Sequence, residues 1–243
     1  MNKKVKVGFF SLASCEGCYV DILNLDDKLL DVLKYVEIVE SRIFGIPKRS
    51  EELDVAFIEG AITCEEEIER AKEIRKRSKI VVALGDCACS GGKFMFKNFG
   101  FTGAKINQPP GKENFITEPI DKYIKVDYYL PGCPAKREEF VELVYSLLAN
   151  RRFAEKPHSV CSECILYEND CLLEKGIPCL GPITQGGCGA LCPTNGRGCF
   201  GCRGLYEDAN IDGLIEAFKK HNIPIPDYLY ELKKKLVEAA KHE

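Results

Sequence analysis

The chain has 243 residues and a mass of 27.2 kDa, is 45% apolar and 29% charged, and sets 34 Lys and Arg against 37 Asp and Glu for a net charge of −3. That apolar content can bury a core and excludes general disorder, and without excess positive charge the chain is no basic nucleic-acid binder, which would need such charge to release phosphate counterions. No stretch approaches the roughly 20 apolar residues of a membrane helix, and the start, MNKKVKVGFFSLASCEGC, has no signal-peptide h-region, so a soluble, cytoplasmic protein without a membrane partner is expected.

Up to residue 150, short β-branched runs alternate with helical stretches, the signature of βαβ units and a parallel sheet. VKVGFF (5–10), LDVAFIEG (53–60), KIVVALG (79–85) and VDYYLPG (126–132) read as strands, with a weaker one over 35–40. A helix is predicted from about Val20 to Leu33, with Ile22, Leu25, Leu29, Leu30 and Leu33 on one side. Thr63 and Glu66 read as a capping box opening a helix over 65–77, and a further helix over 138–149 carries Phe140, Leu143, Val144 and Leu147 at helical spacing. The predicted organisation is a domain over 1–150 and a cysteine-rich segment with terminal helices over 151–243. The terminal helices are expected over 212–220 and from Asp227 to about Ala240, as packing elements.

Cysteine is the anomaly, with 14 in a chain expected to stay in a reducing compartment, where thiols serve as metal ligands rather than as a disulfide framework. Lys and Glu are plentiful while Met and Gln occur twice each, a thermophile's habit. Hyperthermophiles do keep intracellular disulfides, so disulfides stand as an alternative.

Cys15 and Cys18 follow the first strand, Cys87 follows KIVVALG and Cys133 follows VDYYL. The carboxyl ends of the strands of an open parallel sheet face one crevice, so these stretches deliver four thiolates to one place. Four thiolates suit zinc or an iron–sulfur cluster, but zinc sites are usually two close pairs and only one pair here is local. LASCEGC (12–18) is a poor phosphate cradle, which argues against flavin in that turn. Cys89 could replace Cys87 as ligand, Cys64 reads as a small buried hydrophobe, and Glu59 reads as a cap for the helix starting near Thr63 in preference to a proton-handling group.

Residues 161–202 hold eight cysteines among many Gly and Pro, so this segment is expected to lack a conventional hydrophobic core and to fold around metal. Cys161, Cys164, Cys171 and Cys179 form one set of four, and Cys188, Cys192, Cys199 and Cys202 another. Zinc and iron–sulfur clusters both satisfy that arithmetic. His158, three residues before Cys161, reads as an exposed linker residue because four cysteines already close the first set.

SCEGC (14–18), IEGAI (58–62), GDCACSGG (85–92) and PGCP (131–134), in that order, resemble the small subunit of nickel–iron hydrogenases. More closely, the chain resembles the short cytoplasmic version in archaeal sulfhydrogenases (delta subunit) and in F420-reducing and F420-non-reducing hydrogenases, over about residues 5–205. The resemblance implies a flavodoxin-like domain with a proximal [4Fe–4S] cluster on Cys15, Cys18, Cys87 and Cys133. It implies a distal cluster involving Cys171 and Cys179, with Cys161 and Cys164 at the positions where periplasmic members have an HxxC pair. Cys188 and the closing pair Cys199 and Cys202 fall to the medial cluster, and Cys192 supplies the fourth ligand that its three-iron counterpart in periplasmic members lacks.

The resulting expectation is an electron-transfer subunit with three [4Fe–4S] clusters and no catalytic residue of its own. It would stand between a large subunit carrying the nickel–iron site and a flavin-bearing or further iron–sulfur subunit. A zinc-stabilised interaction protein, or the iron–sulfur wire of another redox complex such as a sulfur reductase, are the alternatives.

Overall fold

The computed structural model of the chain describes residues 4–47, 51–92, 117–154 and 156–239. These fall into two compact units, one ending at residue 154 and the other beginning after it.

In the first unit, β1 (Val5–Ser11), β2 (Val36–Ser41), β3 (Leu53–Glu59), β4 (Ser78–Leu84) and β5 (Tyr128–Leu130) form one parallel sheet in the order β2-β1-β3-β4-β5. This is the flavodoxin order, with its switch point between β1 and β3. The central strands are near-continuous apolar runs because both of their faces are covered. Phe9, Phe57, Phe140 and Leu143 pack on one face, and Phe10, Ile58, Ile74 and Val81 on the other. β5 is shorter than the predicted run because the Asp127 carboxylate, rather than another strand residue, takes the Val81 N–H at 2.8 Å.

Registers bring Ser11 beside Glu59, Glu59 beside Leu84, and Leu84 beside Leu130. The carboxyl ends of four strands thus form one row, and the cysteine-bearing turns leave from that row.

Two local expectations are corrected. The predicted helix over 20–33 is two helices, α1 (Gly17–Leu23) and α2 (Asp27–Leu33), broken where Asp26 takes φ 50°. Its Leu30 faces solvent and Val32 is buried instead. In α3 (Glu65–Lys76) the N-cap is Cys64, and Thr63 gives its N–H and hydroxyl to Glu67 at 2.6 and 2.9 Å, not to Glu66. Counted from Cys64, Glu67 is the third helical residue, from which a carboxylate reaches back over the first turn. α4 (Gly85–Ser90) and α5 (Arg137–Leu148) are the other α-helices of this unit among the described residues.

The second unit holds α6 (Val160–Leu166), α7 (Leu191–Thr194), α8 (Ile211–Lys220) and α9 (Asp227–Ala239). Contrary to expectation it has an apolar core: Leu172, Leu180, Ile183, Cys179 and Cys199 pack with Leu214, Phe218 and Leu229 of the terminal helices. The cysteine-rich segment lacks periodicity but borrows its apolar partners from α8 and α9. Asn210 caps α8, its side-chain oxygen accepting the Gly213 N–H at 2.8 Å. Among the described residues no helix is long and apolar enough to cross a membrane.

Candidate metal centres

α1 is fixed over the sheet by Tyr19, fully buried, whose hydroxyl donates to the carbonyls of Phe10 at 2.6 Å and Phe57 at 3.1 Å. The turn carrying Cys15 and Cys18 is therefore pinned at the ends of β1 and β3. Antiparallel bonds between Ala13 and Ala61 tie the turns after those strands together, and the Asp86 N–H donates to Gly132 O at 2.7 Å, tying the turns after β4 and β5. Cys133 precedes a cis proline, Pro134, and the next N–H, that of Ala135, donates to Cys18 Sγ at 3.5 Å.

Four thiols meet electrostatically here. Burial pushes the Cys87 thiol up to about 12, and the neighbouring Asp86 carboxylate and the thiols of Cys133 and Cys15 add to the rise. Burial raises Cys18 still further, helped by Glu59 and, more weakly, by Cys87. A buried thiol held this way is an inert, protonated group until a cation makes the thiolate favourable.

Cys89 points elsewhere, its Sγ lying 3.5 Å from Ala83 O among the apolar side chains on the α3 face of the sheet. Cys64 serves as the N-cap residue of α3, apart from these thiols.

Glu59 does not cap the helix near Thr63. It is 2% exposed, and its Oε1 accepts the Cys18 N–H at 3.4 Å at the start of α1, because the end of β3 lies directly beside the first βα turn. Burial raises its carboxyl, opposed by the Cys18 N–H and thiol and the Tyr19 N–H. Its Oε2, and Ser14 Oγ beside Cys15, are buried without a hydrogen-bond partner among the described residues.

In the second unit the Cys161 thiol has those of Cys179, Cys164 and Cys171 as neighbours, and the Cys179 thiol has those of Cys164 and Cys171. Burial pushes Cys161 up to about 12, and the thiols of Cys179, Cys164, Cys171 and Cys199 reinforce it. Cys199 stands between the two expected sets, with its thiol raised to about 11 by burial in spite of hydrogen bonds from Gly201 and Thr184, and with Cys179 and Cys188 as its thiol neighbours. Cys192 lies in α7, and Cys202 follows Gly201. Their grouping with Cys188 rests on the sequence pattern.

Backbone is kept clear of the sulfurs. A Cβ at Gly85 would lie 2.4 Å from Cys18 Sγ, one at Gly92 2.9 Å from Cys87 Sγ, and one at Gly181 3.3 and 3.4 Å from the sulfurs of Cys161 and Cys179. Two of these glycines also have positive φ, 81° at Gly85 and 70° at Gly92. Soft thiol donors with bare backbone around them, and a buried Ser14 hydroxyl able to donate to sulfur beside Cys15, fit a bulky iron–sulfur cluster. The thiols are neighbours and not a closed cage: among the described residues no three Cys, His, Asp or Glu side chains converge to hold a single ion.

Glu163 lies between Cys161 and Cys164, and its sequence surroundings do not mark it. Its Oε1 accepts the Gly187 N–H at 2.6 Å, and its Oε2 accepts those of Gly189 at 2.9 Å and Ala190 at 3.3 Å. Burial would raise its carboxyl, but the Gly187 N–H, the His158 contact and the Ala190 and Gly189 N–H groups outweigh that and hold it below the usual range. His158 is partly exposed as expected, its side chain 37% accessible, but it is not a free linker residue. Its Nε2 lies 3.3 Å from Glu163 Oε1 and its ring fills the space left by the missing side chain of Gly186. The available signal was GGCG at 186–189, where bare N–H groups need an acceptor.

Thiols gathered at strand ends and in a cysteine-rich appendage define the class, that of iron–sulfur oxidoreductase subunits. A model of the family described as NADH ubiquinone oxidoreductase, 20 Kd subunit, matches residues 15–147, and the chain belongs to this family and, within it, to the small subunits of nickel–iron hydrogenases. It is 38% identical to sulfhydrogenase 2 subunit delta of Pyrococcus furiosus, over 89% of this chain and 93% of that one. It is 36% identical to a subunit of the vhu F420-non-reducing hydrogenase of Methanocaldococcus jannaschii, over 92% and 91%. Among solved structures, the NAD+-reducing [NiFe]-hydrogenase in its H2-reduced state aligns with TM-score 0.52 and 29% identity, over 63% of this chain and 95% of that one. The Ni-Fe-Se hydrogenase of Desulfomicrobium baculatum shares the fold at TM-score 0.60 and 18% identity, over 87% and 98%.

Proposed function

We propose that the chain relays single electrons, through three [4Fe–4S] clusters, between a large subunit that activates hydrogen and a flavin-bearing or further iron–sulfur subunit, in the cytoplasm. The reading is supported by the sequence pattern, in which 12 of the 14 cysteines fall into three sets of four, and by the structure of the first set, where Cys87 has Cys133 and Cys15 as neighbours while Cys89 is turned into the core. Cys15, Cys18, Cys87 and Cys133 would hold the proximal cluster; Cys161, Cys164, Cys171 and Cys179 the distal; Cys188, Cys192, Cys199 and Cys202 the medial. Bound clusters supply one-electron storage, with potentials tuned by hydrogen bonds to sulfur, burial and local charge. The chain's own part is to hold the ligands, exclude water and set that environment, as the Ala135 N–H does for Cys18.

Ile165, Leu166 and Tyr167 follow Cys164 and are exposed, as is Leu191 beside Cys192, and the Tyr167 ring lies against Gly189. Solvent-facing apolar side chains next to Cys164, a distal-cluster ligand in this reading, support a partner subunit receiving electrons at that end.

Anaerobic purification with the natural partners tests the reading. The expected result is about twelve iron and twelve acid-labile sulfide per chain, as three cubanes contain. About two zinc with negligible sulfide would support a zinc-stabilised interaction protein instead. Co-purification with a sulfur-reducing subunit and no nickel-bearing one would keep the wire but move it to another complex.

A further inference from the structure

We infer that Glu163 is the positioning residue of the Cys188 loop, shaping that loop for metal and placing a fixed negative charge beside the cluster that Cys188 ligates. The inference rests on the reading of Cys188 as a cluster ligand.

Gly187, Gly189 and Ala190 take φ values of 113°, 65° and 47°, so their N–H groups turn inward instead of pairing along a strand or helix. Successive N–H groups in such a conformation make a nest for an anion. Here the anion is internal, because the Glu163 carboxylate accepts all three N–H groups from a helix that carries Cys161 and Cys164.

The rest of the loop is tied just as closely. The Gly186 N–H donates to His158 O at 2.7 Å, and buried Arg203, next to Cys202, donates its Nε–H to Gly186 O at 2.6 Å. Cys188 Sγ itself lies 3.9 Å from Glu163 Oε2. One carboxylate therefore links the chain segment of one cysteine set to the loop of the other.

A carboxylate this close disfavours the added negative charge of a reduced cluster, so it lowers the potential of the Cys188 cluster. Glu163→Gln retains the length and one carbonyl oxygen for the nest but removes the charge; Glu163→Ala removes both. Glu168→Gln removes an exposed carboxylate in the turn two residues beyond the same helix and serves as control.

The experiment uses the full chain, first metal-free for amide exchange and then assembled anaerobically with its partners for iron analysis and EPR-monitored redox titration. In metal-free protein, Glu163→Ala is expected to abolish exchange protection at Gly187, Gly189 and Ala190, with Glu163→Gln retaining part of it. In assembled protein, Glu163→Gln should retain its iron and shift the midpoint potential of the Cys188 cluster upward, with the cluster on Cys15, Cys18, Cys87 and Cys133 staying in place. Glu163→Ala should lose about one cluster's iron, roughly a third of the total, and Glu168→Gln should match the wild type.

Unchanged exchange in Glu163→Ala, or unchanged potentials in Glu163→Gln, overturns the inference. An equal shift in Glu168→Gln also overturns it, since distance would then not matter. In each of those cases normal wild-type iron and sulfide would leave the cluster reading standing, whereas zinc in the wild type would remove that reading independently of Glu163.

Discussion

The backbone N–H of Cys199 donates to Cys179 Sγ at 3.2 Å, joining a residue of the last cysteine set to a sulfur of the set before it. The bond is held by close approach of two chain segments: the Leu180 N–H donates to Cys199 O at 3.0 Å, and a Cβ at Gly198 would stand 1.8 Å from Pro178 O. Only glycine fits there. Gly198→Ala is expected to force the segments apart and reduce the iron of both sets. Gly196→Ala, in a left-handed turn at φ 72° with nothing within 4 Å, should cost only about 1 kcal/mol of backbone strain and retain its iron. Iron analysis and thermal unfolding of the two variants check this, and equal iron in both would refute the steric argument.

Cys87 and Cys89 are two residues apart on α4 and point into different surroundings, one toward Cys15 and Cys133 and the other toward Ala83 O. Cys87→Ala should therefore lose about one cluster's iron, roughly four per chain. Cys89→Ala removes only a small, partly buried core group and should lower stability by about 1 kcal/mol or less. Similar iron loss in both would count against Cys87 as the ligand.

Tyr19→Phe tests the anchor of the first cysteine turn. The change leaves the ring contact with Phe9, at 5.5 Å between centroids, but removes the hydroxyl that bridges the Phe10 and Phe57 carbonyls. A loss of about 1 kcal/mol in denaturant unfolding is expected for one buried hydroxyl proton shared between two carbonyl acceptors, and the Cys15 turn should show faster amide exchange. An unchanged unfolding midpoint would show that packing alone holds α1.

The parallel sheet was legible because its strands are apolar on both faces and the turns carry the cysteines, so alternation and punctuation agreed. The break between α1 and α2 was not, because Leu25 continues the helical spacing straight through Asn24–Asp26 and is itself buried. Glu67 takes the place of Glu66 as partner of Thr63 because the N-cap is Cys64, one residue later than the Thr63–Glu66 spacing implies. The core of the second unit was hidden because residues 161–202 were read apart from Phe218 and Leu229, which complete it. Glu163 was hidden for a different reason: a glutamate between two cysteines on a short helix looks solvated until the loop it receives is known.

His158 and Cys164 compete to be the fourth member of the set containing Cys161. The Cys161 thiol has Cys179, Cys164 and Cys171 as neighbours, whereas the His158 ring is turned to Gly186 and Glu163. Asn169 supports Cys164 directly, its Nδ2 lying 3.6 Å from the sulfur and 3.0 Å from Thr194 Oγ1. An all-thiolate set also keeps a cluster more negative than one with a neutral imidazole, as the raised potentials of histidine-ligated centres show. That suits an acceptor near the potential of the nicotinamides. Cys164→Ala should accordingly lose about one cluster's iron and slow electron delivery to the partner, while hydrogen activation by the large subunit survives. His158→Ala should retain its iron and electron transfer, with a stability loss of about 1 kcal/mol or less from the contact with Glu163 and the emptied space at Gly186. Iron analysis, EPR and hydrogen-dependent dye reduction measured on both variants decide the matter. Loss of the distal signal in His158→Ala with Cys164→Ala intact would reverse the assignment.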